Sequence, residues 1–133
     1  MATQRLRETV TPTEPPLFTR RVEIPASRRD VWRALTRPEL LTAWLGEVVE
    51  LEPEVGGSVI VRQPDGSIRR GLVEVAEPAR ALVFRWRHLT GAGPSVEVGD
   101  ATRVAFALED SGSGTRLVVT EEPAPLVAAR GAS

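Results

Sequence analysis

At 133 residues the chain is of single-domain size, long enough to bury roughly two-thirds of its unfolded surface without metal or disulfide staples. A formal net charge of −1, with 17 basic residues (all Arg) spread among 18 carboxylates, excludes the footprint of a nucleic-acid binder. The absence of Cys excludes thiol catalysis, Cys-ligated zinc and disulfide scaffolding, and no apolar run is long enough to span a bilayer as a helix, so a cytoplasmic protein with no membrane partner is expected.

Met1 to Pro16 carries Thr, Pro and charge without a period and reads as a flexible leader. From Leu17, apolar Phe18, Val22 and Ile24 alternate with Thr19, Arg21 and Glu23, predicting a first strand that ends at Pro25. Two short helices follow in tandem. Ser27 and Asp30 form a capping pair for the first, and Thr36 with Glu39 repeats the arrangement for the second. Pro38 falls where a first turn tolerates proline, and Gly46 closes the pair. Val31, Trp32, Leu35, Leu40, Leu41, Trp44 and Leu45 supply the apolar faces.

Strands are then expected over Glu47 to Glu52, Ser58 to Gln63, Arg69 to Ala76 and Ala81 to Leu89, separated by turns at Gly56-Gly57, Pro64-Asp65-Gly66 and Glu77-Pro78-Ala79-Arg80. In the last of these Leu82, Phe84, Trp86 and His88 share one face, and Val83, Arg85 and Arg87 the other. Thr90 to Gly99 reads as a loop. Thr102 to Glu109 and Thr115 to Glu121, joined by Ser111-Gly112-Ser113-Gly114, form a closing hairpin with Val104, Phe106, Leu108, Leu117 and Val119 inward. Connections this short do not permit parallel crossovers, so the fold class is α+β: a curved antiparallel sheet whose concave face is closed at one end by the helix pair.

In this order the pieces resemble the SRPBCC (START/Bet v 1-like) superfamily, and within it the family related to activators of heat-shock protein 90 ATPase. The residues that carry the resemblance are Val31 to Leu41 with Trp44, Gly56-Gly57, Gly71 to Val75, Leu82 to Trp86 and Thr115 to Thr120. The resemblance implies a helix-grip fold over residues 17–121, with a long C-terminal helix against the concave face and a cavity for a hydrophobic small molecule. Here only 122–133 remain, with Pro123, Pro125 and Gly131 among them, enough for two helical turns over Leu126 to Arg130. A concave face left open in this way invites cover by a second copy or a protein partner.

The ligand-binding residues expected on that face are Trp44, Phe84, Trp86, His88 and Phe106. Trp32 reads as core. His88 is the only His and a candidate general base, but no Ser, Cys or Tyr nucleophile stands at a recognisable spacing from it, so it reads as a hydrogen-bonded rim residue. Glu47, Glu50, Glu52 and Glu54 lack metal-ligand spacing and read as a solvated strand edge; no metal and no cofactor are expected. Arg20 shares the face of Phe18 and Val22 and reads as snorkelling from the strand's start, while Arg28-Arg29 and Arg69-Arg70 read as solvated. The expected function is therefore a non-catalytic module that holds a small hydrophobic ligand. The alternatives are a polyketide cyclase- or aromatase-like enzyme, and a co-chaperone or other interaction module of the heat-shock protein 90 ATPase activator type.

Overall fold

The computed structural model describes residues 17–91 and 96–124, with the side chains of 43–45 excepted. The leader over 1–16, the helical turns expected over Leu126 to Arg130 and the side chain of Trp44 lie outside the described residues.

Seven strands form one antiparallel sheet: β1 (Phe18–Ile24), β2 (Glu47–Leu51), β3 (Ser58–Arg62), β4 (Ile68–Glu77), β5 (Ala81–Thr90), β6 (Glu97–Ser111) and β7 (Gly114–Pro123). Their order is β1-β7-β6-β5-β4-β3-β2, a meander in which only β1 is displaced, crossing to pair with β7. Two helices, α1 (Arg28–Leu35) and α2 (Pro38–Leu45), fill the connection between β1 and β2.

The α1 start is the one the sequence encodes: Ser27 Oγ accepts from the Asp30 N–H at 3.1 Å. The second cap is not. Thr36 is the C-cap of α1, and its hydroxyl donates back to the Trp32 and Arg33 carbonyls at 2.9 and 3.3 Å. The α2 helix starts instead from Arg37 with no side-chain cap and with Pro38 in its first turn. Thr42 joins α2 to the sheet, donating to the Pro38 carbonyl at 2.7 Å and accepting from the Val48 N–H at 3.1 Å.

Register shifts at Val48/Glu50, Val73/Val75 and Arg87/Leu89 add one residue to β2, β4 and β6 in turn. Each such bulge sharpens the local twist, and together they curl the sheet. Val31, Leu35 and Leu41 from the helices meet Val59, Val61, Val73, Leu82, Phe84, Val104, Phe106, Leu117 and Val119 on the concave face. Phe84 and Phe106 are both 0% exposed. The concave interior is thus closed at its centre, in contrast to the open face expected, because the two rings and the helix pair fill it. Among the described residues no helix follows β7, and none is long and apolar enough to cross a membrane.

Candidate functional site

Alternation along β5 sends Leu82, Phe84, Trp86 and His88 to the concave face, from the sealed end to the rim. Phe84 packs edge-on to Trp86 with centroids 4.9 Å apart and planes at 61°, and lies 6.1 Å from Phe106 at 45°. Phe84 and Phe106 are therefore backing residues in the core, while Trp86 and His88 line the wall of a depression at the rim. That depression, about 430 Å³, is bounded by Phe18, Arg69, Trp86, His88, Thr102 and Glu121, with Leu17 at its edge. Leu17 and Phe18 are exposed there.

One carboxylate oxygen organises the polar side. Glu121 Oε2 accepts from Thr102 Oγ1 at 2.6 Å, from Arg69 Nη1 at 3.0 Å and from Trp86 Nε1 at 3.3 Å; the indole N–H also donates to Thr102 Oγ1 at 2.9 Å. The Arg69 guanidinium carbon lies 5.0 Å from the Trp86 ring centroid, so the ion pair is held by a cation–π contact as well. Arg69 is thus not the solvated residue expected from its place in an Arg-Arg pair: it faces inward, and its buried Nε has no hydrogen-bond partner. Neighbouring Arg70 is the exposed one.

His88 has a serine within reach after all. Its Nε2 lies 2.8 Å from Ser67 Oγ, and Ser67 donates its hydroxyl to Asp65 Oδ1 at 2.6 Å while its backbone N–H reaches the same oxygen at 2.9 Å. These two bonds, the hydroxyl first, hold the Asp65 carboxyl below its ordinary value. Since the Ser67 proton is committed to Asp65, the proton between Ser67 and His88 belongs to His88 Nε2. A serine nucleophile needs the opposite arrangement, with its hydroxyl proton passing to the imidazole. The three residue types of a hydrolytic triad are present here in an order that braces the β3–β4 turn.

Sequence reasoning missed Ser67, Arg69, Thr102 and Glu121. Ser67 is 21 residues from His88, and only the β4–β5 register, which pairs Ile68 with Leu89 and Arg69 with His88, makes them neighbours. Its one local signal is the Asp65-Gly66-Ser67 turn, where an Asp side chain caps a backbone N–H two residues on. A second, apolar cleft of about 290 Å³ separates the helices from β1 and β7, lined by Ile24, Ala34, Leu35, Leu40, Leu41 and Leu117. Among the described residues no three His, Asp or Glu side chains come together as a metal site; in the acidic edge, Glu47 pairs with Arg62 at 3.2 Å and Glu52 caps the Ser58 N–H at 2.8 Å.

The profile of the family described as activator of Hsp90 ATPase homolog 1-like protein matches residues 25–131. No curated protein matches the chain. Among solved structures it is similar to protein MLL2253 from Mesorhizobium loti, with 27% identity and a TM-score of 0.64 over 86% of this chain and 82% of that one. It is also similar to DynU16, a putative protein in the dynemicin biosynthetic locus, with 28% identity and a TM-score of 0.63 over 86% of this chain but only 41% of that one. The solution structure of the Aha1 dimer from Colwellia psychrerythraea shares the fold at 24% identity and a TM-score of 0.58, over 80% of this chain and 75% of that one.

Proposed function

The chain belongs to the activator of Hsp90 ATPase homolog 1-like family, within the SRPBCC superfamily, and on that premise we propose that it is a non-catalytic module holding a small hydrophobic molecule at the rim of its concave face. The observation that carries this reading is the rim depression itself. Arg69 Nη1, Thr102 Oγ1 and the Trp86 N–H gather on Glu121 Oε2, while the Trp86 indole and the exposed Phe18 side chain offer apolar walls. A site of this composition rewards apolar area more than charge. In this reading Trp86 and His88 touch the ligand, and Phe84 and Phe106 fix the Trp86 ring from behind. The commitment of the Ser67 proton to Asp65 supports a binder over a hydrolase.

A second reading, a cyclase-like enzyme, rests on the similarity to DynU16, described as a protein in the dynemicin biosynthetic locus. It requires His88 to act on the ligand. The partner expected on the concave face finds no open centre to cover, so we place a second copy at the rim, where Leu17 and Phe18 are 63% and 46% exposed.

Native mass spectrometry and titration with naphthol, a neutral aromatic probe, test the proposal. One naphthol per chain, with affinity reduced about tenfold or more by Phe18→Asp, is the expected result. Phe18 is exposed, so that variant keeps the core. Absence of binding, or binding indifferent to Phe18→Asp, contradicts the proposal; loss of turnover of an identified substrate in a folded His88→Ala variant moves the enzyme reading ahead.

A further inference from the structure

On the opposite, convex face the sheet carries a repulsion that no ion pair among the described residues relieves. Arg70 of β4 and Arg87 of β5 are directly opposed in the antiparallel ladder, and none of the ion pairs among the described residues includes either of them. Like charges facing each other across a ladder are destabilising. The next pair along shows how the fold answers that problem elsewhere: Arg103, opposite Arg85 on β6, is met by Glu74 at 2.7 Å. The single hydrogen bond from Arg87, to the Gly99 carbonyl at 3.1 Å, orients its guanidinium without neutralising it. Beside the two arginines the surface sinks into a depression of about 590 Å³ that also borders Val55, Leu72, Arg85, Trp86 and Glu74, whose carboxylate is paired with Arg103. Val55 and Leu72 are 70% and 56% exposed, so their apolar surface is open beside the two charges.

We propose that this convex depression binds a single anionic amphiphile, its oxyanion head between Arg70 and Arg87 and its apolar body along Leu72 and Val55. Two guanidinium groups side by side match the several acceptor oxygens of a phosphate or carboxylate, and a bound oxyanion turns their mutual repulsion into two charge-assisted contacts. Alternation on β4 and β5 sends Arg70, Leu72 and Arg87 to the face opposite His88, although Trp86 borders both this depression and the concave rim.

Dodecyl phosphate, kept below its micelle-forming concentration, is the probe, with dodecanol and inorganic phosphate as partial ligands. The expected result is binding of dodecyl phosphate at least about tenfold tighter than either, weakened about tenfold or more in Arg70→Gln/Arg87→Gln and in Leu72→Asp, while naphthol affinity stays unchanged in both variants. Arg70→Gln alone is also expected to raise the melting temperature without ligand and to abolish the further rise that dodecyl phosphate gives the wild type. Equal affinity for dodecanol, binding only above the micellar threshold, or an affinity for dodecyl phosphate that survives Arg70→Gln/Arg87→Gln but falls in Phe18→Asp overturns the proposal.

Discussion

Ser67 decides what His88 can do. Its hydroxyl is given to Asp65, so the imidazole meets an acceptor and the pair becomes a brace between the β3–β4 turn and β5. Ser67→Ala removes two hydrogen bonds from a buried hydroxyl and should cost about 1–3 kcal/mol, measurable by denaturant unfolding. It should also change the pH profile. The Asp65 carboxyl is depressed in the fold below its ordinary value of 3.8, so its stabilisation is present above that value and is lost as pH falls through the lower folded one. Glu23 behaves alike, held below 4.5 first by the Arg116 guanidinium and then by the Ser111 hydroxyl. Melting curves taken from about pH 6 down to about pH 2 should therefore show a shallower acid loss for Ser67→Ala than for wild type; parallel curves would refute the assignment. For ligand binding, His88→Ala should leave naphthol affinity within about tenfold, or 1.4 kcal/mol. At this scale the sequence made Trp86 and His88 visible, because alternation on one strand suffices to put them on one face. It hid Arg69 and Glu121, which lie at the ends of strands 52 residues apart and meet only through the register of the whole sheet.

Among the elements, the helix pair shows where local rules hold and where they compete. Ser27 has one helix to cap and caps it, so Ser27→Ala should cost about 1 kcal/mol. Thr36 stands between two helices, and its hydroxyl closes the first, leaving Arg37 and the rigid ring of Pro38 to begin the second. Pro38 decides between the two uses: its ring holds Arg37 in the extended region (φ −107°, ψ 119°), so α2 starts after Arg37 and Thr36 is left to close α1. The strands were legible from alternation and from Gly, Pro and Asp turns, but the bulges were not, since one added residue leaves no mark until its partner strand is known. Gly71 is the sharpest case. It reads as an ordinary weak point in a strand, yet the backbones of β4 and β5 approach so closely there that a methyl group meets the Arg85 carbonyl. Gly71→Ala is expected to cost at least the upper end of the about 1–3 kcal/mol range of overpacking, and a loss under about 0.5 kcal/mol in thermal unfolding would refute the close approach.

For the whole molecule, the resemblance to helix-grip proteins gave the right sheet and helix pair but the wrong interior. An open concave face was expected where the structure has Phe84 and Phe106 at 0% exposure, packed against each other and the helices. Phe106→Ala should accordingly cost about 3–5 kcal/mol, the range of a buried aromatic replaced by a cavity. Closing the centre moves any ligand outward to the rim, where the curl of the sheet, Trp86 and the Glu121 network converge. A second copy on that rim would make the oligomer concentration-dependent, whereas a single 14.4 kDa species across micromolar sedimentation equilibrium runs would exclude it. The rim site is best tested by following the three indole N–H signals in proton–nitrogen correlation spectra during a naphthol titration. Saturable movement of the Trp86 signal with the Trp32 signal unmoved is the predicted result. Movement of Trp32 alone, or of no indole, would contradict binding at the rim.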